Sequence, residues 1–413
     1  MNKLLSTLAH RRWAVVALLW PVVLLNYLDR QMLSTIRTSI RADIPSIAND
    51  QDFGTLMAVF MWIYAFLSPL GGFCADRWNR RWTVILSLLV WSAVTFLTGF
   101  GRSYKELLFL RALMGISEAF YLPAALALIA DYHPGPTRAR AVGLHQSGLY
   151  AGLALGGIAG YIAQTSSWRN CFVGFGGIGI TYSLVLMCLL RDAPSVRTKS
   201  ERDEVRSNYF LNLGILFHKR DFWILVIYFT LPAIAGWMTK SWLPTFLGDQ
   251  LHLKEGPAGL SATGYIHLAS FAGVILGGTV ADVWSRTSVK GRVFASALGT
   301  LLMAPALLGL GNAWSMASAI GFMILFGLGW GFFDCNNMPI LCQIATAEQR
   351  ATGYGIMNLV SISVGAGITV ALGWMRDKGI HFSVAFSLAA LVTVLSAGLI
   401  LLIRPAVEPK TEA

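Results

Sequence analysis

The sequence predicts an all-α integral membrane protein: twelve transmembrane helices in two pseudo-symmetric six-helix bundles. Three observations carry that prediction: an apolar composition, twelve apolar stretches of bilayer length, and a motif repeated half a chain apart. Of 413 residues, 55% are hydrophobic and 13% charged, against about a quarter charged in soluble domains. Mean hydropathy is +0.59. A soluble fold of this composition would turn large apolar areas to water, which argues against a soluble enzyme, a nucleic-acid binder or a disordered chain. The net charge of +11 is read as basic residues holding cytoplasmic loops inside, because no basic cluster is interleaved with aromatics in a polar domain. Cys74, Cys171, Cys188, Cys335 and Cys342 lie within or beside apolar stretches, without paired metal spacing, and read as packing residues.

A spanning helix needs about 20 apolar residues, so twelve use roughly 250 and leave short loops. Charged residues, glycines and prolines bound the expected spans at 13–36, 53–75, 82–100, 107–130, 141–163, 168–190, 222–246, 259–281, 293–310, 314–339, 351–372 and 382–403. Asp334, Asn336, Asn337 and Pro339 interrupt the tenth. The short basic stretch before the first span, with no small-residue cleavage site after it, reads as the flank of a span and not as a removed signal. A polar stretch between spans six and seven divides the chain into an N-terminal bundle (1–190), a cytoplasmic central loop (191–221) and a C-terminal bundle (222–413). With the N-terminus inside, 21 of the 32 Lys and Arg fall on inner segments and 8 on outer loops. That bias places both termini in the cytoplasm.

The repeat is Gly72-Phe-Cys-Ala-Asp76-Arg77-Trp-Asn-Arg80-Arg81 after span two and Gly278-Thr-Val-Ala-Asp282-Val-Trp-Ser-Arg286 after span eight. Gly72, Asp76 and Arg80 map onto Gly278, Asp282 and Arg286 with one constant offset. A glycine lets helices approach closely, and Asp76 can accept from helix N-termini or from Arg80 and Arg81. Two readings stay open for these residues: a cytoplasmic latch on one conformation, and charges that only mark the inner surface. The loop motif resembles the major facilitator signature, with Asn79 where that pattern usually carries Gly. Arg111-Ala-Leu-Met-Gly115-Ile-Ser-Glu118-Ala119 in span four resembles the second signature of the same superfamily. The resemblance implies two parallel six-helix repeats moving around a central site.

Ionisable residues far from span ends are functional candidates by default, because a mid-bilayer charge costs at least a few kcal/mol. Arg30 lies 17 residues into span one, about 25 Å along the helix. Asn26 and Tyr27 precede it by four and three residues, so the three share a polar face that should line a cavity. Arg111 and Glu118 are seven residues apart and also share a face, with Arg111 about 9 Å below the outer end of span four and Glu118 deeper. Arg30 and Arg111 therefore match in depth. Two guanidiniums at one depth can clamp a carboxylate or phosphate.

Asp29 and Glu118 have two open readings: permanent counter-ions of the arginines, or switchable proton acceptors, since burial and a neighbouring cation act on a carboxyl in opposite senses. Tyr-Leu-Asp-Arg in span one together with Arg-x6-Glu in span four is similar to the anion:cation symporter family. That family includes bacterial hexuronate, galactonate and phthalate permeases and resembles sialin and the vesicular glutamate transporters. The resemblance implies Arg30 and Arg111 as anion-binding residues and Asp29 and Glu118 as proton-coupling residues. Lys240, near the outer end of span seven, departs from the pattern and reads as a snorkelling anchor or an outer lure. Spinster-type lipid transporters share a similar Asn-Tyr-x-Asp-Arg and Arg-x6-Glu pattern, and these residues do not separate the two families.

Tyr64, Gln146, Asn336 and Asn358 are further polar residues able to reach a cavity, the asparagines as partners for substrate hydroxyls or as interhelical glue. His145 reads as interfacial, and Gly152, Gly156, Gly157 and Gly160 as close packing and a place to flex. No phosphate-binding loop, metalloprotease spacing or nucleophile elbow occurs. The expectation is thus a monomeric, multi-pass transporter of the plasma membrane, bacterial inner membrane in particular. It would carry a small organic anion with protons, need no cofactor beyond the proton gradient, and bind no nucleic acid. Transport of lipids with anionic headgroups is the alternative.

Overall fold

The computed structural model describes residues 2–133, 135, 137–192 and 214–404, and the side chains of these except 2–11, 72, 73, 75–77, 347, 348 and 351. Most of the expected central loop therefore lies outside the described residues, as do the side chains of Gly72, Asp76 and Arg77. Fifteen α-helices occur among the described residues: α1 (Asn2–Thr35), α2 (Arg37–Asp43), α3 (Asp50–Arg77), α4 (Arg80–Thr98), α5 (Tyr104–Glu118), α6 (Tyr121–Tyr132), α7 (Arg138–Leu155), α8 (Ile158–Thr165), α9 (Trp168–Leu189), α10 (Arg220–Leu251), α11 (Glu255–Thr287), α12 (Gly291–Gly311), α13 (Met316–Ile344), α14 (Ala347–Asp377) and α15 (Phe382–Ile400).

Among the described residues, eleven helical stretches are long and apolar enough to cross a bilayer, α5 and α6 together forming one of them, Tyr104–Tyr132. The twelfth segment is α7 with α8. Two spans are thus interrupted, and both interruptions have local causes. Pro123 lacks an N–H and its ring crowds the carbonyl four residues back, at Ala119, which parts α5 from α6 and leaves Glu118 as the last residue of α5. Gly156 and Gly157 part α7 from α8. There the chain tightens through Ala159 N to Gly156 O (3.3 Å) and Gly160 N to Gly157 O (3.1 Å). The expected interruption at Pro339 does not end a helix: α13 runs on to Ile344, and Asn336 Nδ2 donates to Phe332 O (2.9 Å), so its amide nitrogen is absorbed on its own helix while its Oδ1 is buried without a hydrogen-bond partner among the described residues.

Asn49, Ser103 and Ser167 cap α3, α5 and α9, and Ser315 forms a capping box at α13. Each cap falls where the sequence leaves an apolar span for a polar turn.

The chain separates into two compact units. The first joins the N-terminal half to Lys240–Gly264 and Thr369–Trp374, and the second holds Tyr265–Ile368 with the segments before Lys240 and after Trp374. In the first, Val15, Val16, Leu19, Val22 and Val23 form one stripe of α1 and pack with Val84, Leu88 and Trp91 of α4, Tyr121 and Leu128 of α6, and Leu186 of α9. α7 lies close against α1, where a Cβ at Gly152 would collide with the Leu24 carbonyl. In the second, Phe222, Leu225 and Tyr228 pack with Val293, Phe333, Ile340, Met357 and Ile400.

The segments that join the first unit from later in the chain do so through specific contacts. Glu255 accepts from Ser39 N at 2.9 Å and from Ser39 Oγ. Thr263 Oγ1 donates to Ala154 O (2.9 Å), Gln31 Nε2 to Lys240 O (2.9 Å) and Trp242 Nε1 to Thr369 O (2.9 Å).

Candidate functional site

The first unit gathers its ionisable groups around one turn of α1. Asn26 and Asp29 are both 1% exposed, and Tyr27 and Arg30 are half-buried beside them. Arg30 Nε donates to Glu118 Oε2 at 2.6 Å, an ion pair whose carboxylate is fully buried. Glu118 can meet α1 because the α5–α6 interruption places it at a helix end. Three rings surround the same guanidinium: its central carbon lies 4.8 Å from the centroid of Tyr27, 5.1 Å from Phe60 and 4.3 Å from Tyr64. Such contacts attract a cation without using its N–H groups.

Arg111, 4% exposed, reaches the same place from α5, and its guanidinium carbon stands 4.7 Å from the centroid of the same Phe60 ring. The two guanidiniums therefore lie no farther apart than those two ring distances together allow. Arg111 Nη1 is 3.2 Å from Met114 Sδ, a weak acceptor, and Arg111 Nε is buried with no hydrogen-bond partner. Asp29 Oδ2 accepts from Thr95 Oγ1 of α4 (3.2 Å). Asp29 Oδ1 and Asn26 Oδ1 are buried without a hydrogen-bond partner among the described residues, and the Asn26 amide lies beside the Glu118 carboxylate. Buried polar groups are nearly always satisfied in proteins, so this concentration of polar atoms without a protein partner makes the cluster the candidate site.

Arg30, Arg111, Asp29, Glu118, Asn26, Tyr27 and Tyr64 thus fall into one cluster. Arg111 is neither a surface anchor nor lipid-facing, and Glu118, placed deeper than Arg30 by residue counting, is reached directly by that long side chain. Asp29 is held by a threonine and has no hydrogen bond to either guanidinium. Residue types and spacing did not single out Phe60, Thr95 or Met114. The one available signal was that Phe60 precedes Tyr64 by four residues on α3 and so shares its face.

Of the other expected residues, Gln146 is half-buried on α7, its Oε1 buried without a hydrogen-bond partner among the described residues. Asn336 is fully buried on α13 and Asn358 half-buried on α14, both in the second unit. His145 is not interfacial: it is fully buried, its Nε2 3.0 Å from the Tyr121 hydroxyl, because α7 packs this face into the unit's core.

In the loop motif, Arg80 forms an ion pair with Asp131 of α6. Arg81 binds the end of α9 through its N–H to Asp192 Oδ1 (3.0 Å) and through Nη2 to Met187 O (2.5 Å). In the repeat, Asp282 pairs with Arg292 at 2.7 Å, and Arg286 is exposed.

Comparison with known proteins adds a second line of argument. The sequence profile of the Major Facilitator Superfamily matches residues 19–370. The D-galactonate transporter of Escherichia coli O6:H1 is 27% identical over 84% of this chain and 90% of its own length. Spinster homolog 1 of Xenopus tropicalis is 26% identical over 91% of this chain and 75% of its own. Among solved structures, a bacterial homologue of the human lysosomal transporter Spinster, in an inward-facing and unoccupied conformation, superposes with a TM-score of 0.75. It is 19% identical and covers 95% of each chain, a likeness of fold.

Proposed function

The chain belongs to the Major Facilitator Superfamily and is a multi-pass membrane transporter, not an enzyme, and from that premise we propose that it is a proton-coupled symporter of a small organic anion, a sugar acid or other carboxylate. The observation that carries the reading is the buried Arg30–Glu118 ion pair beside a second guanidinium, Arg111, whose Nε has no partner. In the empty site, Glu118 neutralises Arg30. A proton delivered to Glu118 removes the charge that holds Arg30, which then joins Arg111 in binding the incoming carboxylate. Asp29, with one free oxygen beside the same cluster, is the second proton acceptor. With Glu118 protonated and Asp29 still ionised, two guanidiniums face one carboxylate and the bound monoanion, so the loaded site carries no excess charge, which favours movement of the two halves across a low-dielectric region.

Asn26, Tyr27 and Tyr64 line the anion, and Asn336, Asn358 and Gln146 are proposed contacts for its hydroxyls. Gly72, Asp76, Arg77, Arg80, Arg81, Asp282 and Arg286 form the cytoplasmic gate. The protein works as a monomer in a bacterial inner membrane with both termini in the cytoplasm, its bundles being 1–190 and 222–413. The similarity to the D-galactonate transporter supports the substrate class.

The test is Glu118→Gln in proteoliposomes. Uptake driven by a pH gradient should be lost while exchange of labelled for unlabelled substrate persists. Gradient-driven uptake at the native rate would refute the coupling role. The similarity to spinster homologues favours a second reading, carriage of lipids with anionic headgroups. Displacement of bound D-galactonate by lysophospholipid, or stabilisation by lysophospholipid alone, would decide for it.

A further inference from the structure

Two like charges have been brought into one place, and only Arg30 is hydrogen-bonded to a carboxylate. Arg111 has Glu118 and Asp29 within electrostatic reach, and against its guanidinium lies an aromatic ring that serves both arginines. Phe60 is 4% exposed, and its centroid lies 5.1 Å from the Arg30 guanidinium carbon and 4.7 Å from that of Arg111. The ring is fixed from two sides. Tyr64 stacks on it with centroids 5.9 Å apart and planes at 21°. Its backbone is pinned by Gly115, one turn beyond Arg111 on α5. A Cβ there would lie 2.8 Å from the Phe60 carbonyl oxygen and 3.1 Å from Ile63 Cβ, so α5 and α3 touch at this point only because residue 115 has no side chain. The same close approach sets the distance from the Arg111 guanidinium to the ring.

We propose that Phe60 is a positioning residue of the anion site, a shared cation–π platform that holds the Arg30 and Arg111 guanidiniums together while leaving their N–H groups available to a carboxylate. The chemistry explains why the residue is aromatic. A glutamate here would neutralise the arginines but occupy the very donors an anion needs. A leucine would fill the space but offer no negative face to offset the repulsion between two guanidiniums. The π face does offset it, and more strongly where water is excluded. Arg111 Nε, buried without an acceptor, is a donor kept in reserve by this arrangement. The role of the donors rests on the anion-symport reading, and the placement of the guanidiniums does not.

The experiment replaces Phe60, in the full-length protein, with mono-, di- and trifluorophenylalanine, which weaken the π face step by step with little change of shape, and with Tyr and Leu. Two measurements are made on each. The first is the side-chain Nε–H resonances of Arg30 and Arg111 in arginine-labelled protein, assigned by Arg→Lys substitution. Both should shift with each fluorine; in Phe60→Leu Arg111 should lose its ring-current displacement and Arg30 the share that Tyr27 and Tyr64 do not supply, and in Phe60→Tyr both should retain it. The second is KM for D-galactonate uptake in proteoliposomes. It should rise stepwise to on the order of tenfold in the trifluoro and Leu proteins, the scale of one desolvated cation–π contact, and return close to the native value in Phe60→Tyr, with the melting temperature unchanged.

Resonances indifferent to Phe60→Leu would overturn the placement, whatever the protein carries. Resonances that respond while KM stays flat across the fluorinated series would overturn the role in binding. Native protein that takes up no D-galactonate would count against the sugar-acid reading alone, because the resonances still decide whether Phe60 holds the arginines.

Discussion

The seam between the α7–α8 break and the start of α11 allows a quantitative prediction for Gly157→Ala. The added Cβ would sit 2.5 Å from Thr263 Oγ1 and 2.6 Å from the Gly259 carbonyl oxygen, whereas ordinary contact begins at 3.4 Å. The Gly259 oxygen is backbone and cannot swing aside, so α11 must retreat by close to 1 Å. Overpacking of this kind typically costs about 1–3 kcal/mol, and the cost falls only on the arrangement in which the seam is closed. The equilibrium between closed and parted seam should therefore shift by about 5- to 150-fold.

Thr35 reports the shift. It is 2% exposed and lies under Gly259, where a Cβ would come within 2.9 Å of Thr35 Cβ. In protein whose native cysteines have been replaced, Thr35→Cys should react slowly with a membrane-impermeant maleimide. Adding Gly157→Ala should accelerate labelling within that range, and adding Gly157→Ser should do so at least as much. Equal labelling rates with Gly and Ala at 157 would refute the argument that the missing Cβ is what lets the seam close.

Two further outcomes follow from the same packing. Arg111→Lys keeps the charge but loses the planar donor set, so uptake efficiency should fall about ten- to a hundredfold with the fold intact, and proteoliposome uptake within twofold of native would contradict a bidentate role. Tyr121→Phe removes a hydroxyl that meets both His145 Nε2 at 3.0 Å and Leu19 O at 3.3 Å. It should lower unfolding stability by about 1–3 kcal/mol while leaving substrate KM unchanged, and an unaltered melting temperature would show that His145 needs no partner.

Much of the site was legible because charges in a membrane span are rare enough to be conspicuous. Arg30, Arg111, Asp29 and Glu118 stand out against an apolar background, and helical spacing correctly places Asn26, Tyr27 and Arg30 on one face. What spacing cannot give is which long side chain reaches which partner. Depth counting treats a residue as a point on its helix axis, but an arginine extends several ångströms beyond it, which is how Arg30 meets the deeper Glu118. Phe60 was invisible for the opposite reason: in a chain with 23 phenylalanines nothing in the residue type separates a cation's platform from a lipid-facing ring. Distance from the span end does not give the surroundings of His145, which is fully buried because α7 packs this face into the core of the unit. Among the helices, α13 continues beyond Pro339, where the expected tenth span ends, although Asp334, Asn336, Asn337 and Pro339 interrupt its apolar run; a helix tolerates such residues when a side chain bonds back to its own carbonyls, as the Asn336 amide nitrogen does.

The Ala154 carbonyl, released where α7 gives way to α8, is satisfied by a threonine that belongs to a segment far along the chain. Parting that seam takes the hydroxyl away, and the stranded oxygen then needs a solvent molecule in its place. A solute excluded from narrow crevices would therefore favour the closed joint over the parted one.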